Sequence, residues 1–315
     1  MKRHHIILLI LIFMCALTAP YAARARAEVE APQTEKLIQP KAQKAVEAKR
    51  ERNHCGHVRP IRITGFTANP PFSWVEKGVG INGDLEVKGY SIDLFDKIAK
   101  KHGWRYKTQG YTSQADIITA LNRGQVDIVV ASYLMQDNSI DATPIYPGYF
   151  KNIFIVYFLA EKQHKFTAVE DLIGLRGVVR QEENIYNLLL NKKAVAKLDL
   201  QQVKTAETAF TMLLKNEADY IIGSPYSIEA ELRRLKMVGK IVPARVALMA
   251  GSLFFIMSNA SKCYAELKPI LQQDLKEYTQ TGVALDEVYD TLHKWGEMFR
   301  YDAGLSVETE PSNQN

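Results

Sequence analysis

The spacing of apolar and polar residues locates the first secondary-structure elements of the chain. Residues 61–66 alternate with a period of two, which predicts a strand, and the proline pair at positions 70–71 then forces a loop. Residues 91–102 repeat their apolar positions every three or four residues, which predicts a helix with one buried face. Ser91 can cap this helix at its N-terminus, and Gly103 can end it.

Strand and helix patterns alternate along the rest of the chain. The predicted strands are residues 105–109, 126–131, 176–179, 200–204, 220–222 and 252–258. The predicted helices are residues 114–122, 185–190, 206–214 and 227–236, followed by apolar stripes within residues 267–295. This alternation predicts an α/β fold with a mainly parallel sheet and helices packed against it.

One helix–turn–strand pattern occurs twice. Residues 121–132 align without a gap with residues 213–224, at a constant offset of 92 residues. Each copy has a helix end, a polar turn, an aspartate, three strand residues, and then a small residue followed by serine. The repeat predicts two lobes of similar construction.

The N-terminal residues differ from this pattern. Four basic or histidine residues precede a short apolar run at residues 6–17, and small residues with an Ala-x-Ala site follow up to residue 27. These features predict a cleaved secretory signal at residues 1–27, with an uncleaved membrane anchor as the alternative. Residues 28–56 predict a charged, solvated arm, and residues 301–315 a tail.

The net charge gives no reason to expect nucleic acid as a partner. The formal charge is +5, but four basic residues and no acidic ones fall within residues 1–27. Removal of that segment leaves a charge of +1. A nearly neutral mature chain lacks the basic surface that nucleic-acid binding requires.

Two cysteines remain after the predicted signal, Cys55 and Cys263. In an exported protein they can form a disulfide, but the sequence leaves their pairing open. The string at residues 54–57, His-Cys-Gly-His, suggests either a metal site or a surface turn. Two or three ligands without a matching cluster elsewhere favour the turn, and we expect neither a metal nor another cofactor.

The most informative polar residues follow predicted strands. In open α/β sheets, ligands bind beyond the carboxyl ends of the strands. Residues 66–74, 131–139 and 223–226 are three such ends, and we expect them to meet in one cleft. The sequence contains no G-x-S-x-G, no H-E-x-x-H and no glycine-rich phosphate loop, so no catalytic set is apparent.

Three motifs give the chain a family resemblance. Pro-Phe-Ser at 71–73, Gly-Tyr-Ser-Ile-Asp-Leu-Phe at 89–95 and Leu-x-x-Gly-x-Val-Asp at 121–127 resemble the family 3 extracellular solute-binding proteins. These are the amino-acid-type periplasmic receptors of ABC transporters. The resemblance covers about residues 62–295.

The resemblance implies a periplasmic-binding-protein fold of two α/β lobes joined by two crossover strands, with ligand held between them. Lobe 1 would comprise residues 57–155 and 250–300, and lobe 2 residues 156–249. The hinges would lie near residues 153–157 and 249–253, and closure of the cleft on a ligand would be the functional motion.

The chain departs from the family at both ends of the expected amino-acid clamp. Ser139 stands where the family usually has an arginine that binds the ligand's α-carboxylate, and Ser224 stands where it commonly has an aspartate for the α-ammonium. Serine cannot replace a bidentate guanidinium. The two departures together predict a ligand that is not an ordinary free α-amino acid.

We therefore expect a small polar or aromatic solute, bound by hydroxyl, amide and aromatic side chains. The candidate ligand-binding residues are Phe66, Phe72, Trp74, Ser132, Tyr133, Ser139, Asn184, Ser224 and Tyr226. The expected role is a monomeric periplasmic receptor without an enzymatic step. Its partners would be an ABC permease and its ATPase at the inner membrane.

Two other functions remain open from the sequence. Some proteins of this fold resemble dehydratases of prephenate-type substrates, for which Glu182 or Glu183 would serve as acid or base and Arg180 as an anchor. The other alternative is a sensor or adaptor that kept the fold and changed or lost its ligand.

Overall fold

The computed structural model of this chain describes residues 54–77, 85–134, 139–162, 165–181 and 197–302, with the backbone alone at residues 68 and 297–302. The predicted signal, most of the charged arm, the helix at 185–190 and the tail beyond residue 302 lie outside the described residues. Within these ranges, no helix combines the length and the apolar character needed to cross a membrane.

The described elements alternate largely as the sequence pattern predicts. The strands are β1 (Ile61–Thr64), β2 (Ala68–Asn69), β3 (Ser73–Lys77), β4 (Leu85–Lys88), β5 (Tyr106–Thr108), β6 (Ile128–Ser132), β7 (Ala142–Leu159), β8 (Arg176–Arg180), β9 (Asp199–Val203), β10 (Tyr220–Gly223) and β11 (Ile241–Ser258). The helices are α1 (Tyr90–His102), α2 (Gln114–Asn122), α3 (Ala206–Leu214), α4 (Pro225–Arg234), α5 (Tyr264–Thr281) and α6 (Ala284–Asp302). Short 3-10 turns occupy Ala160–Lys162 and Val169–Leu172.

Eight of the strands form one hydrogen-bonded sheet, in the order β5-β1-β6-β11-β7-β10-β8-β9. β1 runs parallel to β5 and β6, and β8 runs parallel to β9 and β10. We call these parallel groups, with the helices that follow their strands, the first half and the second half. The long strands β7 and β11 lie between them. The predicted α/β class, with a mainly parallel sheet and two connecting strands, is confirmed.

β7 and β11 are the two connecting strands, and each is 18 residues long. They pair antiparallel from Ala142 opposite Ser258 to Leu159 opposite Ile241. β6 pairs with the end of β11, and β10 pairs with the end of β7. The two halves are therefore joined into one sheet through the pairing of β7 with β11.

Some sequence expectations differ from the structure. The hydrophobic pattern predicts neither the separate sheet β2-β3-β4 nor the portion of β7 before residue 153. The prediction that Ser91 caps α1 is wrong, because the helix starts at Tyr90 with Gly89 as its N-cap and no side-chain cap. The carbonyl of Gly89 accepts the N–H groups of Ile92 and Asp93, and the Ser91 hydroxyl instead bonds the Tyr149 hydroxyl at 2.7 Å.

The repeated helix–turn–strand unit is present in both halves with matching geometry. α2 and α3 follow Ser113 and Thr205, and each of these hydroxyls accepts a hydrogen bond from the backbone N–H three residues later. The turns after the two helices contain Gly124 and Asn216, with φ of 61° and 57°. Glycine and asparagine are the residues that most readily adopt this left-handed backbone. The sequence repeat is thus a structural repeat.

An arginine–aspartate pair completes each copy of the unit. Arg62 donates to both carboxylate oxygens of Asp127, through its backbone N–H and its guanidinium. Arg176 makes the same three bonds to Asp219. These pairs fix the start of a strand in each half to the turn before its parallel neighbour.

The two aspartates differ in their surroundings. The Asp127 side chain is 0% exposed and also accepts hydrogen bonds from Arg59 and Ser261, whereas the Asp219 side chain is 28% exposed. Burial by itself would raise the pKa of Asp127. The hydrogen bonds from Arg62 and Ser261 outweigh that effect and hold its pKa below the ordinary value.

A disulfide fixes the start of the fold. Cys55 and Cys263, whose pairing the sequence left open, are joined in the structure with their Cα atoms 5.7 Å apart. Both are buried. Cys55 lies before β1 and Cys263 immediately precedes α5, so the bond connects the two ends of a segment that includes the whole sheet. Within the described ranges, no group of three or more His, Cys, Asp or Glu residues could hold a metal ion.

We predict that the double variant C55S/C263S is strongly destabilised. The disulfide spans 208 residues, and in the chain-entropy model closing such a loop stabilises the fold by about 5 kcal/mol. Urea unfolding of the oxidised protein, the reduced protein and the variant measures this difference. The reduced protein should match the variant, and equal midpoints for all three would contradict the prediction.

We also predict that D127N costs more stability than the equivalent substitution D219N. Breaking a buried ion pair typically costs about 3–5 kcal/mol, and an exposed pair contributes about 1 kcal/mol or less. Because the pKa of Asp127 is lowered by folding, its carboxylate stabilises the fold above its unfolded pKa. That contribution is lost as the pH falls through the lowered folded value.

Urea unfolding as a function of pH tests both parts of the prediction. The difference in the free energy of unfolding between wild type and D127N should become smaller below about pH 4. Equal costs for D127N and D219N at neutral pH would show that burial does not distinguish the two pairs.

Candidate functional site

The three predicted strand ends lie together in the structure. Phe72 follows β1 and the short strand β2, Tyr133 follows β6, and Ser224 follows β10. The rings of Phe72 and Tyr226 are 5.9 Å apart, so the first and second halves contact each other directly. We call the region between these strand ends the cleft.

A buried hydrogen-bond chain crosses the cleft. The Ser224 hydroxyl donates to Oδ1 of Asn152 at 2.9 Å, and Nδ2 of Asn152 donates to the Tyr133 hydroxyl at 2.7 Å. Ser224, Asn152 and Tyr133 are 1%, 0% and 2% exposed. The chain connects the ends of β6 and β10 through β7, and it uses neutral groups only.

Asn152 is a residue of this region that the sequence reasoning missed. It lies in β7 between the apolar residues Phe150 and Phe154, and it pairs across the sheet with Gly251 of β11. An amide flanked two residues away on each side by Phe150 and Phe154, which share its face of a strand, was the available signal. Buried polar side chains require partners, so an asparagine at such a position indicates a polar network.

Aromatic rings fill the neighbouring part of the cleft. Phe72 lies 5.3 Å from Phe150 and 5.9 Å from Tyr226, and Phe150 lies 5.6 Å from Tyr226, measured between ring centroids. Such tilted and edge-to-face arrangements are the favoured geometries for aromatic pairs. Phe72 is fully buried, and burial raises the pKa of the Tyr226 hydroxyl. We call these three residues the ring cluster.

A second polar contact joins the loop after β2 to helix α4. The Ser227 hydroxyl donates to the carbonyl oxygen of Pro70 at 2.6 Å and lies 3.3 Å from Oδ1 of Asn69. Both side chains are buried. Nδ2 of Asn69 has no hydrogen-bond partner among the described residues. An unpaired buried amide is costly, which makes Asn69 a second candidate that the sequence reasoning missed.

Three other predicted ligand residues make different contacts. Trp74 is 8% exposed and packs in a separate cluster with residues of α4 and α6. Phe66 is buried, and its carbonyl accepts the Ser73 hydroxyl. The Ser132 hydroxyl donates to the carbonyl of its neighbour Tyr133 at 3.0 Å.

The remaining predicted residues are Ser139, Asn184, Glu182, Glu183 and Arg180. Ser139 is exposed, and its carbonyl accepts a hydrogen bond from the Asn122 side chain at 2.6 Å. Asn184, Glu182 and Glu183 lie outside the described residues. Arg180 is 4% exposed at the end of β8.

A cavity of about 780 Å³ lies elsewhere, between β4, α1, β5 and α6. Trp74 is the predicted ligand residue that borders it. Asp93 and Lys294 also line it, and burial raises the pKa of Asp93. This open groove is separate from the ring cluster and the hydrogen-bond chain, because none of their residues line it.

The sequence and the structure each match one group of known proteins. The family model described as bacterial extracellular solute-binding proteins, family 3, matches residues 61–295. No curated protein matches the sequence closely enough to count as a relative.

Three solved structures illustrate the range of similar proteins. The amino acid ABC transporter substrate-binding protein AbpA from Streptococcus pneumoniae, bound to L-arginine, has a TM-score of 0.58 at 14% identity, covering 80% of this chain and 98% of that one. A histidine kinase sensor domain with similarity to periplasmic binding proteins has a TM-score of 0.58 at 18% identity, covering 75% and 96%. The ancestral amino acid-binding protein AncCDT-1, a precursor of cyclohexadienyl dehydratase, has a TM-score of 0.55 at 19% identity, covering 80% and 98%. At these identities the similarity establishes the fold.

We predict that S224A destabilises the protein more than S132A does. The Ser224 hydroxyl bonds Asn152 across the cleft, so its removal leaves a buried amide oxygen unpaired, at a cost of about 1–3 kcal/mol. Ser132 occupies the matching position of the repeat, and its hydroxyl donates to the adjacent backbone carbonyl of Tyr133. Urea unfolding compares the two variants, and a larger loss for S132A would contradict the importance of the chain across the cleft.

Proposed function

Because this chain belongs to the bacterial extracellular solute-binding proteins, family 3, we propose that it is a periplasmic receptor for a small uncharged aromatic or polar solute. The solute binds between two lobes and is delivered to an ABC permease and its ATPase in the inner membrane. The segment at residues 1–27 directs export as a signal that is then cleaved, and the receptor acts as a monomer without a chemical step.

The observation that carries the proposal is the neutral hydrogen-bond chain from Ser224 through Asn152 to Tyr133. A receptor for a free amino acid needs a cationic side chain beside the α-carboxylate of the ligand and an anionic side chain beside its α-ammonium group. The two positions for those charges hold Ser224, already bonded to an amide, and Ser139, which is exposed and bonded through its backbone to Asn122. Hydroxyl and amide groups suit a solute without charge.

The ring cluster supports an aromatic component in the solute. Phe72 belongs to one half and Tyr226 to the other, and their rings contact each other at 5.9 Å. A planar solute that enters when the lobes separate would stack between or beside these rings. Nδ2 of Asn69, which has no partner in the part of the chain that the structure describes, would donate a hydrogen bond to an acceptor on the solute.

The motion follows from the connection between the halves. We propose lobes of residues 57–155 with 250–300 and of residues 156–249, with hinges near 153–157 and 249–253. Gly251 lies within the second of these hinges, and its partner Asn152 immediately precedes the first. Closure therefore forms the Ser224–Asn152 bond where β7 passes from one lobe to the other.

A second candidate is a sensor or adaptor domain whose lobes close without a solute. The observation that favours it is that groups on the two sides of the cleft already contact one another. The Ser224 hydroxyl bonds the Asn152 amide, the Ser227 hydroxyl bonds the backbone carbonyl of Pro70, and the rings of Phe72 and Tyr226 are in contact. A histidine kinase sensor domain is among the similar structures, which supports this candidate.

We predict that an uncharged aromatic amide or alcohol raises the melting temperature of the wild-type protein, whereas free amino acids do not. Benzamide, nicotinamide and phenol are suitable probes, with L-glutamine, L-arginine and L-glutamate for comparison. A ligand at one hundred times its dissociation constant adds about 2.7 kcal/mol of stability. Micromolar binding of a free amino acid in calorimetry would contradict the proposed ligand class.

Variants of the ring cluster sharpen this test. Y226A should weaken binding of a responding probe about tenfold or more, which corresponds to about 1.4 kcal/mol. Y146A removes an aromatic side chain that is 52% exposed and lies outside the cluster, so it should leave binding unchanged. A wide metabolite screen without any shift would favour the sensor or adaptor function instead.

A further inference from the structure

The C-terminal helix α6 contacts elements of both halves. It packs against α1 and α5, and it also packs against α4, which follows β10 in the second half. Among the described residues, β7 and β11 are the covalent connections between the two halves. Contacts from α6 to α4 are therefore a further connection between them.

One face of α6 is anchored in the first half. Val288 is fully buried in the main core, and Glu287 lies 2.6 Å from Nζ of Lys97 on α1. The Tyr278 hydroxyl on α5 donates to Glu287 at 2.9 Å and lies 2.9 Å from the Tyr90 hydroxyl on α1. These contacts fix α6 to α1 and α5, so the helix moves with the first half.

The opposite contacts of α6 reach the second half through a small core of their own. Leu292 and Trp295 of α6 pack with Ala230 of α4 and with Trp74 of β3. All four are at most 9% exposed, and they form a cluster separate from the main core. Because Ala230 comes from the second half and the other three do not, separation of the halves would expose this apolar cluster to water.

A second contact joins α6 to the cleft itself. The ring of Tyr289 lies 5.7 Å from the ring of Tyr226, edge to face. Tyr226 begins α4 and belongs to the ring cluster. Tyr289 is 44% exposed, so this contact lies at the border between the cleft and solvent. The helix thus contacts the residue through which the second half closes on Phe72.

We propose that α6 is a strap that holds the two lobes closed when no solute is bound. Opening requires the Trp74–Ala230–Leu292–Trp295 cluster and the Tyr226–Tyr289 contact to separate, while the anchor to α1 and α5 stays intact. The strap sets the fraction of open molecules, and so the rate at which the cleft admits a solute. The inference rests on the proposed function only in requiring lobes that open and close.

Distances between the lobes, measured without ligand, test the strap. Spin labels at K107C on β5 and Q202C on β9 occupy exposed positions in the two halves, and pulsed electron paramagnetic resonance gives their distance distribution. The native disulfide is kept oxidised during labelling. The otherwise unchanged protein should give one narrow distribution, and W295A should add a distinct population at a different distance.

Two further variants separate the strap from general destabilisation. Y289A changes a partly exposed side chain, so it should fold normally and shift a smaller part of the population in the same direction. L285A removes an apolar side chain that is 46% exposed on the same helix, and it should leave the distribution unchanged. Far-UV circular dichroism checks that each variant is folded.

Unchanged distance distributions in folded W295A and Y289A would overturn the proposal, and a change in L285A equal to that in Y289A would also overturn it. Solute binding is measured separately on the unlabelled protein. A failure of every solute to bind, together with a shifted distribution in Y289A, would reject the proposed ligand but leave the strap supported.

Discussion

The antiparallel pairing of β7 with β11 is the interaction on which the rest of the structure depends. Backbone hydrogen bonds along both 18-residue strands bring two parallel groups into one sheet, although each group could form a ladder alone. The register of the pair shifts between Pro243 and Ala247, between Ala247 and Met249, and between Leu253 and Phe255. Such irregularities interrupt the ladder and bend it, so they are the places where the pair deforms at the lowest cost. The position of every cleft residue depends on this one pair of strands.

The repeated unit was largely predictable because its signals are local. Helices α2 and α3 begin and end where the sequence pattern places them, since a hydroxyl cap, an apolar face and a polar turn all lie within about a dozen residues. The arginine partners of Asp127 and Asp219 come from strands 65 and 43 residues away, and no local pattern indicates them. The sequence alignment therefore indicates the repeat, but the matched arginine–aspartate hydrogen bonds are visible only in the structure.

The cleft was predictable in outline and not in detail. The rule that ligand-facing residues follow parallel strands indicated Phe72, Tyr133, Ser224 and Tyr226, and these do lie near one another. The rule does not indicate Asn152, because that residue lies within a strand, 19 residues from Tyr133 and 72 from Ser224. Trp74 was predicted to bind ligand because it follows the first strand, yet in the structure it packs against a helix more than 200 residues later in the chain. Tertiary contacts of this kind leave no periodicity in the sequence.

The disulfide determines how mechanical tension passes through the molecule. Cys55 lies before the first strand and Cys263 at the start of α5, and the covalent bond joins them directly. A pull on the chain from its N-terminal side is transmitted to α5 through this bond, in parallel with the path through β1 and the sheet. A force applied to the chain before Cys55 therefore has a covalent route to α5 that bypasses the strands from which the cleft residues project.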